Sequence, residues 1–337
     1  EVNEADLAAH LDRYYTAQTH TGRALSYQPG QFTRLPNRYY RFQQGGIEFF
    51  ALDSNTFNKP PPLPETEAGR ALRQTLREKR RQLVQDKQAR LDQLAVATVD
   101  LSESTDEMED DYAKIEQIDE QLRDIDMQLS AHREDITVDL EQMDWLRQSL
   151  LRSWQNDAVR GRVLFFHHPP YVTEATKWSQ GQTLAVRQNL QNVLDTVQQT
   201  LGDRTAGRSL VDLVICGHAH CFEHIETFDT GHADSHTHWL VCGGSGFSLR
   251  RQRPEGSELV DNVDGQPQTV AKSHCFIGRS GHGSEKRRPY SALRVDVTAG
   301  SVPEFKVTPL VAERKKKRWK TYAADTLLLK TSSEARL

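Results

Sequence analysis

Four short apolar runs, each followed by a polar or glycine-rich loop, constrain the fold of this chain more than any other feature. They span residues 47–54, 163–166, 211–216 and 239–242. Apolar runs of this length, bounded by turn residues, are typical of buried strands. A helical pattern over residues 183–201 lies between the second and third runs. We therefore predict a layered α/β sheet, in which ligands bind beyond the carboxyl ends of the strands.

The third run leads directly into Gly217-His218-Ala219-His220, the sharpest local motif in the chain. Residues i and i+2 of an extended segment project to the same side, so both imidazoles are expected to face one crevice. Gly217 allows a tight turn, and imidazole is the commonest metal ligand in proteins. His167 follows the second run and is expected at the same crevice. The pattern predicts a metal site at these three histidines, with ordinary polar residues of a turn as the alternative.

Residues 65–150 have the composition of a helical arm, with a single glycine and no proline. The proline-rich segment 60–64 ends the element before them. Residues 65–90 carry eight Lys/Arg against four Asp/Glu, whereas residues 103–144 carry three against sixteen. Opposite charges favour packing of the two parts, so we predict an antiparallel helical hairpin that turns near residues 102–110. A coiled-coil seam with steps of three and four runs through Ile115, Ile118, Leu122, Ile125 and Leu129, and Ile136, Leu140 and Met143 continue it.

The two histidine-bearing loops resemble the motifs of the calcineurin-like metallophosphoesterases, the superfamily that includes the purple acid phosphatases. The first is Phe165-Phe166-His167-His168-Pro169-Pro170-Tyr171, and the second is Ile215-Cys216-Gly217-His218-Ala219-His220. In that family, a strand ending in His, one further residue and Pro precedes a strand ending in Gly-His-x-His. The resemblance covers roughly residues 1–59 and 142–310. It implies an α/β fold, a two-sheet αββα sandwich of the metallophosphoesterase type, interrupted by the antiparallel helical hairpin.

The resemblance also implies a cofactor of two divalent or trivalent metal ions, Fe, Mn or Zn. His167 and His218 would bind one ion, and His220 would bind the other. Two cations about 3.5–4 Å apart can clamp a phosphoryl group, activate a water for attack on phosphorus and stabilise the leaving oxygen. The implied activity is metal-dependent hydrolysis of a phosphate ester.

Three further residues near these motifs are candidate site residues. His168 is a candidate catalytic residue. The alternatives are a role behind the metal ligands or at the substrate, and no functional role at all. Tyr171 and Lys177 are candidate substrate-binding residues, and a structural or exposed role is the alternative for each.

The sequence departs from the family before residue 47. Members carry Asp-x-His, Gly-Asp-x-x-Asp and Gly-Asn-His-Asp/Glu motifs there, and none occurs in residues 1–46. Three histidines would not hold two metal ions, so the chain alone is predicted to be inactive. A missing N-terminal segment or a second chain is expected to complete the site. The alternatives are a phosphodiesterase or nuclease of the same superfamily, and an inactive scaffold that binds a protein partner through residues 65–140.

These observations divide the chain into parts. We predict an irregular loop over residues 250–290 and two antiparallel strands within residues 291–311. The basic cluster Arg314–Lys320 predicts a solvated tail or a surface for nucleic acid or anionic lipid. The predicted parts are a first metallophosphoesterase segment (1–59), the coiled-coil hairpin insertion (60–141), a second metallophosphoesterase segment (142–312) and a basic tail (313–337).

Composition and charge exclude several classes of protein. No apolar run approaches the roughly 18 residues that span a membrane. A net charge of -4 with 27% charged residues excludes wholesale disorder. Four irregularly spaced cysteines fit a reducing compartment, which predicts a cytoplasmic protein. Residues 65–150 carry twelve Lys/Arg and twenty-two Asp/Glu, or -10, so the remainder carries +6, which suits an anionic substrate.

Overall fold

The protein is a mixed α/β structure in which two β-sheets and four α-helices are described. Residues 1–37 of the predicted first segment, residues 98–104 between the two arms of the predicted hairpin, and Ile136 of the predicted seam lie outside the described residues. The described helix from Thr105 covers most of the predicted turn near 102–110. The computed structural model describes residues 38–97, 105–132, 135, 137–246, 248–282, 285–315 and 318–330.

Eight strands form the central sheet: β1 (Tyr40–Gln44), β2 (Ile47–Ala51), β3 (Gly161–Phe166), β4 (Leu213–Cys216), β5 (Phe222–Thr227), β6 (His238–Cys242), β7 (Glu258–Val263) and β8 (Gln266–Ile277). Their order is β1-β2-β3-β4-β6-β5-β8-β7. The neighbours among β2, β3, β4 and β6 are parallel, and the outer pairs are antiparallel. Each of the four apolar runs of the sequence overlaps one of the parallel strands, so the prediction of buried strands is confirmed.

A second sheet contains β9 (Arg287–Val297), β10 (Glu304–Lys315), β11 (Arg318–Ala323) and β12 (Leu327–Lys330). Strand β10 pairs antiparallel with the other three. The predicted antiparallel pair within residues 291–311 is confirmed, because β9 and β10 pair from Phe305 opposite Val297 onward.

The helices are α1 (Glu67–Ala97), α2 (Thr105–Ser130), α3 (Leu140–Trp154) and α4 (Gly181–Leu201). None of these described helices combines the length and the apolar content needed to cross a membrane.

Strand β3 is buried on both faces of the central sheet because a layer covers each face. On one face, Leu164 packs in one apolar cluster with Leu146 of α3 and Leu190 of α4. On the opposite face, Val163 packs with Phe305 of β10. Successive strand residues point to opposite faces, so a doubly covered strand requires a continuous apolar run.

Helices α1 and α2 run in opposite directions, as three ion pairs between them indicate. Arg80 Nε lies 2.6 Å from Asp126 Oδ1, Lys87 Nζ lies 2.6 Å from Asp119 Oδ1, and Arg90 Nη1 lies 3.2 Å from Asp111 Oδ1. Exposed pairs of this kind stabilise a fold by only about 0–1 kcal/mol each. These pairs therefore indicate the relative direction of the two helices but contribute little to the stability of the fold.

The predicted continuation of the apolar seam to Leu140 and Met143 is wrong. Helix α2 ends at Ser130, and α3 begins at Leu140 after Asp139, whose carboxylate accepts a hydrogen bond from the Gln142 amide. Leu140 is 73% exposed, whereas Met143 packs in the core beneath α4. The helix cap at Asp139 restarts the helix on a new axis, so the periodicity does not carry over.

The prediction of an irregular loop over residues 250–290 is also wrong, because β7 and β8 form an antiparallel hairpin there. Its turn is Asp264-Gly265, and both residues have positive φ, at 51° and 79°. Asp-Gly is a favoured dipeptide of two-residue hairpin turns. The turn could therefore have been found in the sequence, although the apolar residues before it, Leu259, Val260 and Val263, do not alternate.

The predicted basic tail is likewise wrong over its described part. Strand β10 continues to Lys315. Strand β12 pairs with its residues 304–307 and β11 with its residues 310–315, at the edge opposite β9. All six residues of β11 are exposed, and two of them, Arg318 and Lys320, are basic. Basic side chains on an exposed edge strand discourage pairing with another chain.

His224 on β5 is a buried histidine whose titration should destabilise the fold in acid. Burial lowers its pKa to about 3, with repulsion from His238 and His274 in the same direction. Below pH 6.5 the unfolded chain binds a proton that the folded chain excludes, so the free energy of unfolding falls between pH 6.5 and about 3. We expect the wild-type chain to lose up to about 1.4 kcal/mol more per pH unit than His224→Gln. Urea unfolding at neutral and mildly acidic pH measures the difference.

His132→Gln is the control, because this residue lies in the connection after α2 and is exposed. Its pH dependence should follow that of the wild type. If wild type and His224→Gln lost stability at the same rate in acid, His224 would have to take up its proton in the folded state.

Candidate functional site

The carboxyl ends of β3 and β4 lie side by side, because the strands pair in parallel with Phe166 opposite Cys216. His167 and Gly217 are the next residues along each strand. The Gly217 amide donates a hydrogen bond to the His167 carbonyl at 3.0 Å. The register of two buried strands thus joins the two histidine-bearing loops.

His167, His168 and His218 form a group that could hold a metal ion. Each offers one ring nitrogen, and these three nitrogens lie within 4.8 Å of one another. His218 Nδ1 lies 3.1 Å from His167 Nε2, and the ring centroids of His168 and His218 are 4.6 Å apart. No other group of three His, Cys, Asp or Glu within the described ranges meets the same distance limit.

His168 is held by residues that follow β2. Its Nδ1 lies 2.8 Å from Ser54 Oγ, its backbone amide donates to the same oxygen at 3.1 Å, and its Nε2 lies 3.2 Å from Asn58 Nδ2. Burial lowers the pKa of His168 to about 3, and repulsion from His167 and Lys177 adds to the shift. The ring is therefore neutral and fixed at physiological pH.

Lys177 is the cation of this site, and its side chain is only 2% exposed. Its Nζ lies 2.9 Å from His218 Nε2 and 2.9 Å from Glu120 Oε2. An ammonium group can only donate, so His218 Nε2 accepts and Nδ1 carries the proton that is donated to His167 Nε2. Burial, followed by the Lys177 charge, lowers the pKa of both His218 and His167. Both imidazoles are thus neutral beside this ammonium group.

His220, the third predicted ligand, lies outside the group of three. Its Nδ1 lies 3.2 Å from the Ser248 carbonyl oxygen. His218 has a φ of 63°, so the segment is not extended and the i, i+2 rule does not apply to the two rings. A positive φ at a residue other than glycine costs on the order of 1 kcal/mol. His220 nevertheless interacts electrostatically with His167 and Glu120.

Of the two predicted substrate-binding residues, only Lys177 contacts the histidines directly. Tyr171 is 1% exposed and packs against Trp239, with ring centroids 4.9 Å apart. Its hydroxyl donates to Asp234 Oδ2 at 2.6 Å and lies 3.1 Å from Gln191 Nε2. The polar end of Tyr171 is therefore directed to Asp234.

Sequence reasoning missed Glu120, Arg250 and Glu174. Glu120 lies on α2, and its Oε1 is 3.1 Å from Arg250 Nη2. Burial raises the pKa of Glu120, but attraction to Lys177 and Arg250 outweighs this effect and lowers it. Glu174 is 1% exposed, and burial raises its pKa. No motif indicates these three residues, because they lie far apart in the sequence and meet only when α2 packs on the sheet.

The described histidines fit one metal ion. Two nitrogen ligands of a tetrahedral zinc ion are about 3.3 Å apart, close to the 3.1 Å between His167 Nε2 and His218 Nδ1. Binding at His218 Nδ1 would move the ring proton to Nε2, opposite the Lys177 ammonium. Lys177 would then have to turn away, and Glu120 is the acceptor beside it. Within the described residues, the group of three contains no carboxylate that could bridge to a second ion.

Comparison with known proteins finds no matching family model and no matching curated protein. Several solved structures match at low identity. A purple acid phosphatase, PPD1, from yellow lupin (Lupinus luteus) seeds is 11% identical over 91% of this chain and 35% of that chain, with a TM-score of 0.37. GAP50, described as the anchor in the inner membrane complex of Plasmodium, is 12% identical over 88% of this chain and 56% of that chain, with a TM-score of 0.32. PhoD is 13% identical over 96% of this chain and 50% of that chain, with a TM-score of 0.31.

The match therefore spans between 35% and 56% of the length of these three chains. TM-scores of this size do not establish a common fold.

Gly243, which follows β6, supports the loop that carries His218. A Cβ at this position would lie 2.0 Å from the carbonyl oxygen of Ala219. We expect Gly243→Ala to displace the loop, to lower the free energy of unfolding by about 1–3 kcal/mol and to weaken zinc binding. Urea unfolding and zinc titration measure the two effects.

Gly246→Ala is the matched control, because its nearest atom would be 3.8 Å away and its φ is -91°. This variant should unfold and bind zinc as the wild type does. Equal losses in both variants would show that the contact with Ala219 does not position the loop.

Proposed function

We propose that this chain is a metal-dependent phosphoesterase that hydrolyses a phosphate ester. The observation that carries the proposal is the convergence of His167, His168 and His218 beside the buried cation Lys177. Phosphate esters carry negative charge that grows on the phosphoryl oxygens during transfer, and fixed cations stabilise it. A metal-capable group beside a buried ammonium group suits such a substrate.

The proposal includes the architecture implied by the sequence resemblance, with residues 1–59 and 142–312 as the two segments of a two-sheet metallophosphoesterase sandwich. Apolar packing of Val163 against Phe305 of the second sheet supports the sandwich. The ion pairs between α1 and α2 support an antiparallel hairpin as the insertion at residues 60–141.

In this proposal His167 Nε2 and His218 Nδ1 hold one ion, which would supply Lewis-acid polarisation of a phosphoryl oxygen. His168 stays neutral and keeps its ring against His218 through its contacts with Ser54. Lys177 donates to an oxygen of the substrate once its contact with His218 is released. A second ion would use His220 together with carboxylates from outside the group of three.

A second candidate function is a metal-free scaffold that binds a protein partner through α1 and α2. The hydrogen bond from Lys177 Nζ to His218 Nε2 favours it. This contact keeps the ring proton of His218 on Nδ1, the nitrogen that would otherwise bind a metal ion. Such a chain would keep its fold without any metal.

Metal analysis and turnover test these two functions. We expect the purified chain to retain at least about one Zn, Mn or Fe ion, and His218→Ala to bind zinc at least about 10-fold more weakly, because one of two adjacent imidazole ligands is lost. The same variant should lose any turnover of an aryl phosphate monoester that the wild-type chain shows. A bis-aryl phosphate diester in parallel separates phosphatase from phosphodiesterase activity.

His232→Ala is the matched control, since this exposed histidine pairs with Asp195 and lies outside the group of three. It should bind zinc as the wild type does. A folded wild-type chain with no bound metal and no zinc affinity would instead identify the scaffold.

A further inference from the structure

Helix α2 carries a stripe of polar contacts, here called the polar stripe, that faces loops beyond the central sheet and the start of α4. The stripe consists of residues 110, 113, 117, 120 and 124, with steps of three and four, so its members share one side of the helix. It is separate from the apolar seam through Ile118 and Ile125. Its contacts are Asp110 with Arg279 and Lys286, the Ala113 carbonyl with Arg250, Gln117 with Glu174, Glu120 with Lys177 and Arg250, and Asp124 with the Gly181 and Gln182 amides.

Glu120 lies at the centre of this contact. Its Oε2 is 2.9 Å from Lys177 Nζ, and its Oε1 is 3.1 Å from Arg250 Nη2. The side chains of Lys177 and Arg250 are 2% and 3% exposed, whereas that of Glu120 is 22% exposed. One carboxylate thus brings a separate oxygen to each of two buried cations, an arrangement that a phosphate group can also adopt.

Two buried cations require an anion. Taking each charge out of water costs several kcal/mol unless an opposite charge compensates it. Glu174 is also close, but its Oε1 and Oε2 accept hydrogen bonds from Gln117 and Thr176, and burial disfavours its ionised form. Glu120 is therefore the anion that compensates Lys177 and Arg250 directly.

We propose that Lys177 and Arg250 form an oxyanion-binding site for a phosphate group, and that Glu120 occupies this site from within the same chain. Phosphate and Glu120 compete for the two cations, so phosphate binding releases the centre of the polar stripe. The choice of phosphate as ligand rests on the proposed function. Binding of phosphate to the two cations does not require a metal ion or turnover, so the site can be tested without either.

Titration of the full chain with inorganic phosphate in the presence of EDTA tests the competition. Glu120→Gln keeps the shape of the side chain but removes its charge. We expect this variant to bind phosphate at least about 10-fold more tightly than the wild type by calorimetry. Phenyl phosphate in a parallel titration shows whether the site also accepts an ester, and comparable gains for the two ligands are expected.

Glu116→Gln is the matched control, because Glu116 lies one turn away on the same helix and is exposed. It should bind phosphate as the wild type does. Arg250→Met in the Glu120→Gln background should abolish the gain. An unchanged affinity in Glu120→Gln, or a gain that survives Arg250→Met, would overturn the proposal.

Hydrogen exchange of the unmodified chain gives a second test that does not depend on the folding of a variant. Saturating phosphate should speed exchange of the α2 amides around residues 113–124, relative to sodium chloride of equal ionic strength. Unchanged α2 exchange at saturating phosphate would also overturn the proposal. Failure of the metal and turnover experiments would leave both phosphate readouts valid, so the two proposals can fail separately.

Discussion

The parallel pairing of β3 with β4 determines where His167 and His218, the centre of the candidate site, lie. Layers cover both faces of the two strands. If either strand shifted its register by one residue, each of its core side chains would point to the opposite layer, so the register is fixed. With Phe166 opposite Cys216, the two loops leave the sheet together. The Gly217 amide donates a hydrogen bond to the His167 carbonyl, and the rings of His167 and His218 then meet at 3.1 Å.

Charge compensation between α2 and the sheet loops adds a second level of organisation. The arm at residues 65–150 carries -10 and the rest of the chain +6. From sequence, the positive part suits an anionic substrate. In the structure, two positive charges near the histidines are already paired within the chain, because Glu120 contacts both Lys177 and Arg250. The acidic arm therefore acts as an internal partner of the basic surface.

The candidate site is electrostatically unusual because its imidazoles are neutral while its ammonium group is charged. Burial lowers the pKa of His167, His168 and His218, and the nearby Lys177 disfavours their protonated forms further. Neutral imidazole is the form that binds metal. The same ammonium group, however, donates a hydrogen bond to His218 Nε2. It must move away before the ring proton can shift to Nε2 and leave the Nδ1 lone pair free to bind a metal ion.

Local patterns in the sequence were sufficient to predict the parallel strands, α4 and the pair β9 and β10. Each of these elements buries apolar residues that are spaced with the period of its own secondary structure. The local patterns also placed His167 and His218 at one edge of the sheet, since the carboxyl ends of such strands converge there. The Asp264-Gly265 turn is a hairpin signal within a region whose composition predicts a loop. Only the tertiary structure decided the rest. The positive φ of His218 changes the relation between His218 and His220, and packing of α2 brings Glu120 to Lys177 and Arg250 across 57 and 130 residues of chain. Contacts of this kind depend on where whole elements dock, and no local period or motif encodes that position.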